Sequence, residues 1–467
     1  MPIQAQTLSA GGLREMLIIA LPMVASYACE TILIFTDRLF LSRLGVIPMN
    51  AALLGGLSSF MLMTFFIGLT GYVTALAAQY LGSGQTDRCA KVVFQAVLLS
   101  LAAAPLLLAS RPLIHQLFAF MAIPPQQLAQ QQIYFDILVF GAFPVLLRNS
   151  FSSFFSGVGR TRVVMFAALI TMLINIAANY ILIFGHLGFP PLGLRGAAYG
   201  TLFSSCCGLL VLLTYYLSRY TRSTYAVMQS FHFDRELMLK LLRFGSPAGI
   251  EMFLNLLAFT IVIMLFHADG LVTATAVTIV FNWDMVSFVP LLGIQIGVVS
   301  LVGRYMGAGR PDLAARATNS GLTMALAYSS LILILFVFLP EFLVAVFQPQ
   351  ITDDIYLQAN PLAVQMLRLA ALYVLADAMM VVFSGALRGA GDTFWTMCIS
   401  VTLHWMLIPV LLLVLRVFNL PPQIAWLALI AAFMVFSGMF YLRYRSGRWK
   451  ALNLVDNKIS LPLLPGG

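Results

Sequence analysis

The sequence predicts an all-α membrane protein: twelve transmembrane helices in two six-helix lobes, related by a pseudo-twofold axis along the membrane normal. Three observations carry this expectation. Hydrophobic residues make up 61% of the 467-residue chain and charged residues 9%, with a mean hydropathy of +0.95. A soluble chain carries about 25% charged residues, so this one has far more apolar surface than a core can absorb. Apolar runs long enough to cross a bilayer, about 20 residues each, recur twelve times. Finally, the second half of the chain repeats motifs of the first in the same order.

The runs fall at roughly 14–40, 53–80, 91–111, 133–156, 162–186 and 194–218, then at 237–268, 272–303, 316–340, 362–387, 393–417 and 422–443. The first follows a polar leader and is long enough to span, so it reads as a helix rather than a cleaved signal. Several runs exceed a minimal span, which predicts tilt or bending. Pro22 and Pro247 sit near the starts of the first and seventh and allow a bend there. The fifth run ends in Gly185, Gly188, Pro190, Pro191 and Gly193, an expected extracellular loop. The polar stretch "RYTRSTYAVMQSFHFDRE" (219–236) separates the halves as a cytoplasmic linker. The expected domains are 1–225, 226–450 and a cytoplasmic tail, 451–467.

The net charge of +9 does not indicate a nucleic-acid partner, because the basic residues are sorted by side. With a cytoplasmic N-terminus, only Arg38, Arg43, Arg111, Arg148, Arg195, Arg368 and Arg416 fall outside or within the spans. The other basic residues face the cytoplasm, as the positive-inside rule requires. This predicts a multi-pass protein of the cell inner membrane with both termini cytoplasmic. Cys29, Cys89, Cys206, Cys207 and Cys398 show no metal-ligand spacing and read as small packing residues. There is no P-loop and no clustered catalytic set, so neither an ATP-driven pump nor an enzyme is expected.

The repeat is explicit. "FIGLTGYVTALAAQYLGSGQTDRCAK" (66–91) aligns with "LLGIQIGVVSLVGRYMGAGRPDLAAR" (291–316) at an offset of 225. The offset superposes Gly68 on Gly293, Tyr80 on Tyr305, Gly82 on Gly307 and Asp87 on Asp312. It also carries Pro22 onto Pro247. "FSGVGRT" (155–161) matches "LRGAGDT" (387–393) at an offset of 232. Each half holds an even number of spans, so both enter the membrane in the same orientation. Parallel repeats of this kind occur in secondary transporters, with the substrate path between the halves.

Ionisable residues inside spans cost roughly 2.5–3.5 kcal/mol at the bilayer centre and mark functional sites by default. The candidates are Glu30 and Asp37 in the first span, Arg148 in the fourth, Glu251 in the seventh, Asp284 in the eighth and Asp377 in the tenth. Asn175 and Asn179 stand four apart in the fifth span, on one helical face. They read either as partners of Asp37 or as plain interhelical hydrogen bonds.

These residues resemble the MATE (multidrug and toxic compound extrusion) family. The stretch "INIAANYILIFGHLGFPPLGLRGAAYGT" (174–201) is similar to its signature across the fifth and sixth helices. "QYLGSG" and "RYMGAG" resemble its repeated glycine motif, "FSGVGRTR" and "LRGAGDT" its short turns, and "FTDRLFLSRLG" its first-helix motif. The resemblance covers about residues 14–443. It implies a two-lobed antiporter with a central cavity, in which inward movement of protons or sodium drives export of organic, often cationic, compounds. Asp37 matches the first-helix cation-coupling aspartate and Asn175 the asparagine beside it. Asn179 stands where one branch has Asp and another Asn, and Thr201 falls near a threonine of the same site. Tyr373 and Asp377 match a tenth-helix cation-site pair. One departure is plain: where one branch carries a seventh-helix glutamate, eight residues after the proline, this chain has Asn255. Glu251 lies a turn earlier, and Asp284 is the nearest carboxylate able to replace the missing charge.

The expected function is therefore cation-coupled antiport of small organic, cationic compounds by alternating access, with no cofactor. A carboxylate shielded from water holds a proton or a cation in exclusion of substrate. Asp37, Asn175, Asn179 and Thr201 form the expected coupling site of the first half. Tyr373, Asp377, Asp284 and Asn255 form that of the second, and Glu30 and Glu251 line the cavity. A sodium ion would sit at Asp37 or Asp377. Protons are the preferred driver, because Asn179 and Asn255 replace two carboxylates that sodium would use. The expected partners are small organic substrates, H⁺ or Na⁺ and membrane lipid, and the expected assembly is a monomer. Two further transport readings stay open at this point: a lipid-linked oligosaccharide flippase, which would carry several cavity arginines, and an exporter of an endogenous metabolite.

Overall fold

A computed structural model describes residues 10–120, 124–348, 354–452, 454 and 455, so most of the expected tail lies outside the described residues. The described residues form helices and turns, without strands. The helices are α1 (Leu13–Ser42), α2 (Val46–Gly71), α3 (Val73–Gly82), α4 (Thr86–Ala109), α5 (Arg111–Phe120), α6 (Pro125–Phe140), α7 (Ala142–Gly157), α8 (Thr161–Phe184) and α9 (Leu194–Tyr216). There follow α10 (Arg219–Thr224), α11 (Arg235–His267), α12 (Leu271–Gly307), α13 (Pro311–Phe338), α14 (Pro340–Ala345), α15 (Asp354–Ala390), α16 (Thr393–Leu412) and α17 (Pro422–Arg445).

Among the described residues eleven helices are long and apolar enough to cross a membrane, with α2 and α3 counted as one. The fourth expected span is a pair, α6 and α7, bent by 48°. The bend has a local cause. Pro144 has no N–H for the carbonyl of Phe140, and its ring crowds that carbonyl, so the helix breaks at Gly141. Large apolar side chains such as Leu173, Phe203, Leu210, Leu331 and Leu372 remain exposed on long helices, as a lipid-facing surface requires.

The chain divides into two compact units. One, here the C-terminal unit, contains the chain up to Val24, Glu251–Val302 and Pro311–Leu452. The other, the N-terminal unit, contains Ala25–Ile250 and Gly303–Arg310. The chain thus changes unit inside α1 just after Pro22 and inside α11 just after Pro247. Close backbone packing explains the exchange. On α12, Gly293 lies so near α1 that a Cβ would stand 2.5 Å from the nitrogen of Val24. On α2, Gly68 lies so near α11 that a Cβ would stand 2.7 Å from the carbonyl oxygen of Ala248. These glycines are repeat partners.

A second repeat-related pair lies within the N-terminal unit. A Cβ on Gly82, at the end of α3, would meet the carbonyl oxygen of Arg304 on α12 at 1.8 Å. A Cβ on Gly307 would meet the carbonyl oxygen of Gln79 at 1.9 Å. Gln79 and Arg304 are themselves 225 residues apart, so the two contacts are reciprocal.

The core of the C-terminal unit gathers Phe266, Phe281, Tyr373, Leu411 and Trp426. The Trp426 indole donates to the carbonyl of Met366 at 3.0 Å, which satisfies its one polar atom. In the N-terminal unit Leu107, Phe118, Phe135 and Leu146 pack together. The linker is docked rather than loose. Buried Gln95 donates to the carbonyl of His232 at 3.1 Å and accepts from the backbone N–H of Asp234 at 3.2 Å. Asp234 in turn accepts from the N–H of Leu237 at the start of α11.

The matched short turns are tied down by different chemistry. Arg160 donates to Thr221 at 3.1 Å, whereas Asp392 takes a two-pronged bond from Arg443 at 2.7 and 3.0 Å. Asp392 is 5% exposed. Arg443→Met is therefore expected to strand a buried carboxylate, at a cost of about 3–5 kcal/mol. Thermal unfolding in detergent should show a fall of several degrees relative to the wild type. An unchanged transition would mean that the pair adds nothing.

Candidate functional site

Asp37 sits on the second half of α1, facing α8 and α9 inside the N-terminal unit. The Asn179 amide donates to its Oδ1, and the Thr201 hydroxyl donates to its Oδ2 at 3.4 Å. The same Asn179 amide also donates to Asn175 Oδ1 at 3.2 Å. The Asn175 amide reaches Ser204 at 3.4 Å and Thr201 at 3.5 Å. Both asparagines are completely buried. Among the described residues Asp37 forms no ion pair, so only an amide and a hydroxyl compensate its charge.

The helices can approach this closely because α9 opens on small residues. Gly200 faces Asn179 so tightly that a Cβ would stand 1.9 Å from its Oδ1. That oxygen is buried and has no hydrogen-bond partner, which leaves one free acceptor beside the carboxylate. Ser204 and Gly200 were passed over in the sequence. Their signal was the small-residue spacing of "GAAYGTLFSS", which reads equally well as plain packing.

Farther along α1 toward its start, Glu30 takes both terminal nitrogens of Arg148 (α7) on one oxygen at 3.4 Å. This pair is partly open, with side-chain exposures of 46% for Glu30 and 26% for Arg148.

The second-half residues separate into two groups in the C-terminal unit. The Tyr373 hydroxyl (α15) donates to Asp284 Oδ1 (α12) at 2.5 Å, and its ring stacks on Phe433 at 5.1 Å. Asp377 lies one turn after Tyr373, buried, and its Oδ1 finds no hydrogen-bond partner. Asn255 is held elsewhere: its amide donates to Ser400 on α16 at 2.7 Å. Glu251 was expected to line a cavity, yet it is 3% exposed and paired with Arg388 at 2.7 Å. The physical reason is a neighbouring guanidinium at the end of α15, which lets the carboxylate be buried as an ion pair. His404 was also missed. It donates through Nδ1 to the carbonyl of Ser400 at 2.8 Å and lies within electrostatic reach of Glu251. Among the described residues no cluster of three or more His, Cys, Asp or Glu could hold a metal ion.

A polytopic all-helical protein with carboxylates held inside its bundles has the build of a membrane transporter. Comparison with known proteins makes the class specific. The MatE family model matches residues 22–181 and 247–413, most of the chain and both halves of the repeat, and the chain belongs to this family of transporters. A protein of Thermotoga maritima named a probable multidrug resistance protein NorM is 26% identical over 451 residues, covering 94% of this chain and 93% of its own. The multidrug resistance protein PmpM of Pseudomonas aeruginosa is 28% identical over 406 residues, 84% of this chain and 82% of its own. Among solved structures, a MOP superfamily transporter from Pyrococcus furiosus has a TM-score of 0.85 at 21% identity, over 97% of this chain and 99% of its own. A multidrug resistance MATE family transporter in an outward-facing conformation has the same TM-score at 20% identity, over 97% and 100%.

Proposed function

We propose that this transporter exports small organic cations by antiport, and that inward-moving protons drive it through Asp37. The observation that carries the reading is the Asp37 cradle. A carboxylate in a membrane bundle with no basic partner is suited to exchange its charge with a mobile cation. A proton neutralises it and is released to water when access switches sides. A substrate cation competes for the same charge, which supplies the mutual exclusion that antiport needs.

The groups around Asp37 favour the proton. Asn179 and Thr201 both present donors to the carboxylate, and the free Asn179 Oδ1 is a single acceptor. A sodium ion needs several oxygen ligands at once. Tyr373 and Asp284, hydrogen-bonded to each other, and Asp377, one turn after Tyr373, form a second polar group in the C-terminal unit. Names of the relatives, multidrug resistance proteins, support a broad substrate range. The distribution of arginine supports an inner-membrane protein with both termini in the cytoplasm.

The test separates the two ions. In proteoliposomes with equal pH on both sides, an inward sodium gradient should drive little export of a cationic dye. A pH gradient alone should drive it strongly. Strong sodium-driven export that survives collapse of the pH gradient would reverse the assignment.

A further inference from the structure

We propose that Arg148 is a receptor for a substrate carboxylate, and that the solutes this protein handles best are amphoteric, with a cationic group for Asp37 and an anionic group for Arg148. The inference deepens the export reading, and its first test is a binding measurement that stands without transport.

Arg148 is partly exposed, with 26% of its side chain open, and only loosely paired. Its stem lies inside the N-terminal unit against α9, where a Cβ on Gly208 would stand 3.5 Å from Arg148 Cδ and 2.1 Å from Thr171 Oγ1. Its guanidinium offers five donors. Two of them share one oxygen of Glu30 at a long 3.4 Å, and the buried Nε–H has no partner at all. A good arginine–carboxylate pair uses both oxygens in a fork, as Arg443 and Asp392 do in this chain. The Glu30–Arg148 pair is therefore a loose ground state, with donor capacity left for a better-placed carboxylate. A substrate carboxylate approaching the guanidinium can take the fork, and the half-exposed Glu30 turns away to water.

The geometry also sets the length of the solute. Glu30 and Asp37 are seven residues apart on α1, two turns and about 10 Å along the helix. Behind this line lies a polar track of buried side chains: Asn179, Asn175 and Thr171 follow each other at four-residue steps along α8, with Ser204 opposite. The track runs from a lone carboxylate at one end to a guanidinium with spare donors at the other. It is complementary to a molecule with a cationic amine and a carboxylate up to about 10 Å apart.

An aminoxanthene dye in two forms provides the probe: the free acid, which is amphoteric, and its ethyl ester, which is only cationic. Binding of each to the purified full-length protein is read by fluorescence polarisation, and the ratio of the two affinities is the quantity of interest. Wild type should prefer the acid. Arg148→Gln should lower the acid-to-ester ratio about tenfold, and Arg148→Lys, a point charge without the fork, by an intermediate factor. Glu30→Gln, which removes the internal competitor, should raise it. A structural ion pair would instead weaken both forms alike and leave the ratio fixed. A fixed ratio in Arg148→Gln, a wild-type preference for the ester, or binding of neither form would overturn the proposal. If the wild type binds as expected but reconstituted protein exports neither dye, the export reading fails while the receptor assignment stands.

Discussion

Replacing Asp37 with Asn is expected to abolish ion-coupled export while leaving a folded protein in the membrane. The substitution is nearly isosteric, so the packing of α1 on α8 and α9 is kept. The new amide oxygen still accepts from Asn179 or Thr201, the donors that now serve the carboxylate. What is lost is the charge and the ability to bind a proton reversibly. An amide in that cradle is permanently neutral, as if the site were always occupied by the driving ion. The expected export rate under a pH gradient falls by at least about tenfold, to the level of protein-free vesicles, as for loss of an essential proton carrier. Size-exclusion and melting profiles should match the wild type. Wild-type rates in this variant would rule out Asp37 as the coupling group.

Gly82→Ala is expected to damage the protein as much as any single-methyl addition to the glycine motifs. The added Cβ would stand 1.8 Å from the carbonyl oxygen of Arg304, and a backbone atom cannot rotate away as a side chain can. Contact requires that α3 and α12 part by about 1–2 Å, and overpacking of this kind costs about 1–3 kcal/mol or more. The melting transition should fall by several degrees and export by at least about tenfold, while the neighbouring Ser83→Ala is silent. Gly307→Ala should act equally, because its Cβ would strike the carbonyl of Gln79 at 1.9 Å. Once one substitution has separated the helices, the other has little left to disturb, so the double variant should be scarcely worse than either single one. Fully additive losses would show that the two contacts are independent.

Much of this architecture could be read in advance, and the reason lies in the solvent. Lipid punishes polar groups, so span positions follow from composition, and two amides one turn apart on α8 stand out against their apolar neighbours. Asp37, Asn175, Asn179 and Thr201 came into view that way, with the family resemblance pairing them. The bend at Gly141 did not, because the hydropathy of α6 and α7 is continuous across it and only Pro144 marks the break. Nor did the partners of Asn255 and Glu251. A lone polar residue on an apolar helix says that it needs a partner, not which helix supplies it. Ser400 and Arg388 answer only once α15 and α16 are in place. The exchange of the first halves of α1 and α11 was equally silent, since it rests on backbone proximity at glycines with no chemical signature of their own.

The reciprocal meeting of Gly82 with Arg304 and of Gly307 with Gln79 has the form of a homodimer interface: residue i of one copy touches j of the other, and j touches i. Written in the numbering of one half, both contacts are the same contact, glycine 82 against position 79. A six-helix ancestor with this sequence would therefore have carried a self-complementary patch and paired with an identical neighbour. While the two copies were separate molecules, every change at that patch occurred twice. Joining them in one chain removed that constraint, and the halves have since diverged where symmetry no longer binds them. Position 79 became Arg304 in the second copy, and the turn that holds Arg160 in the first holds Asp392 in the second. The glycines of this patch stayed equal, because each must still admit the other half's backbone.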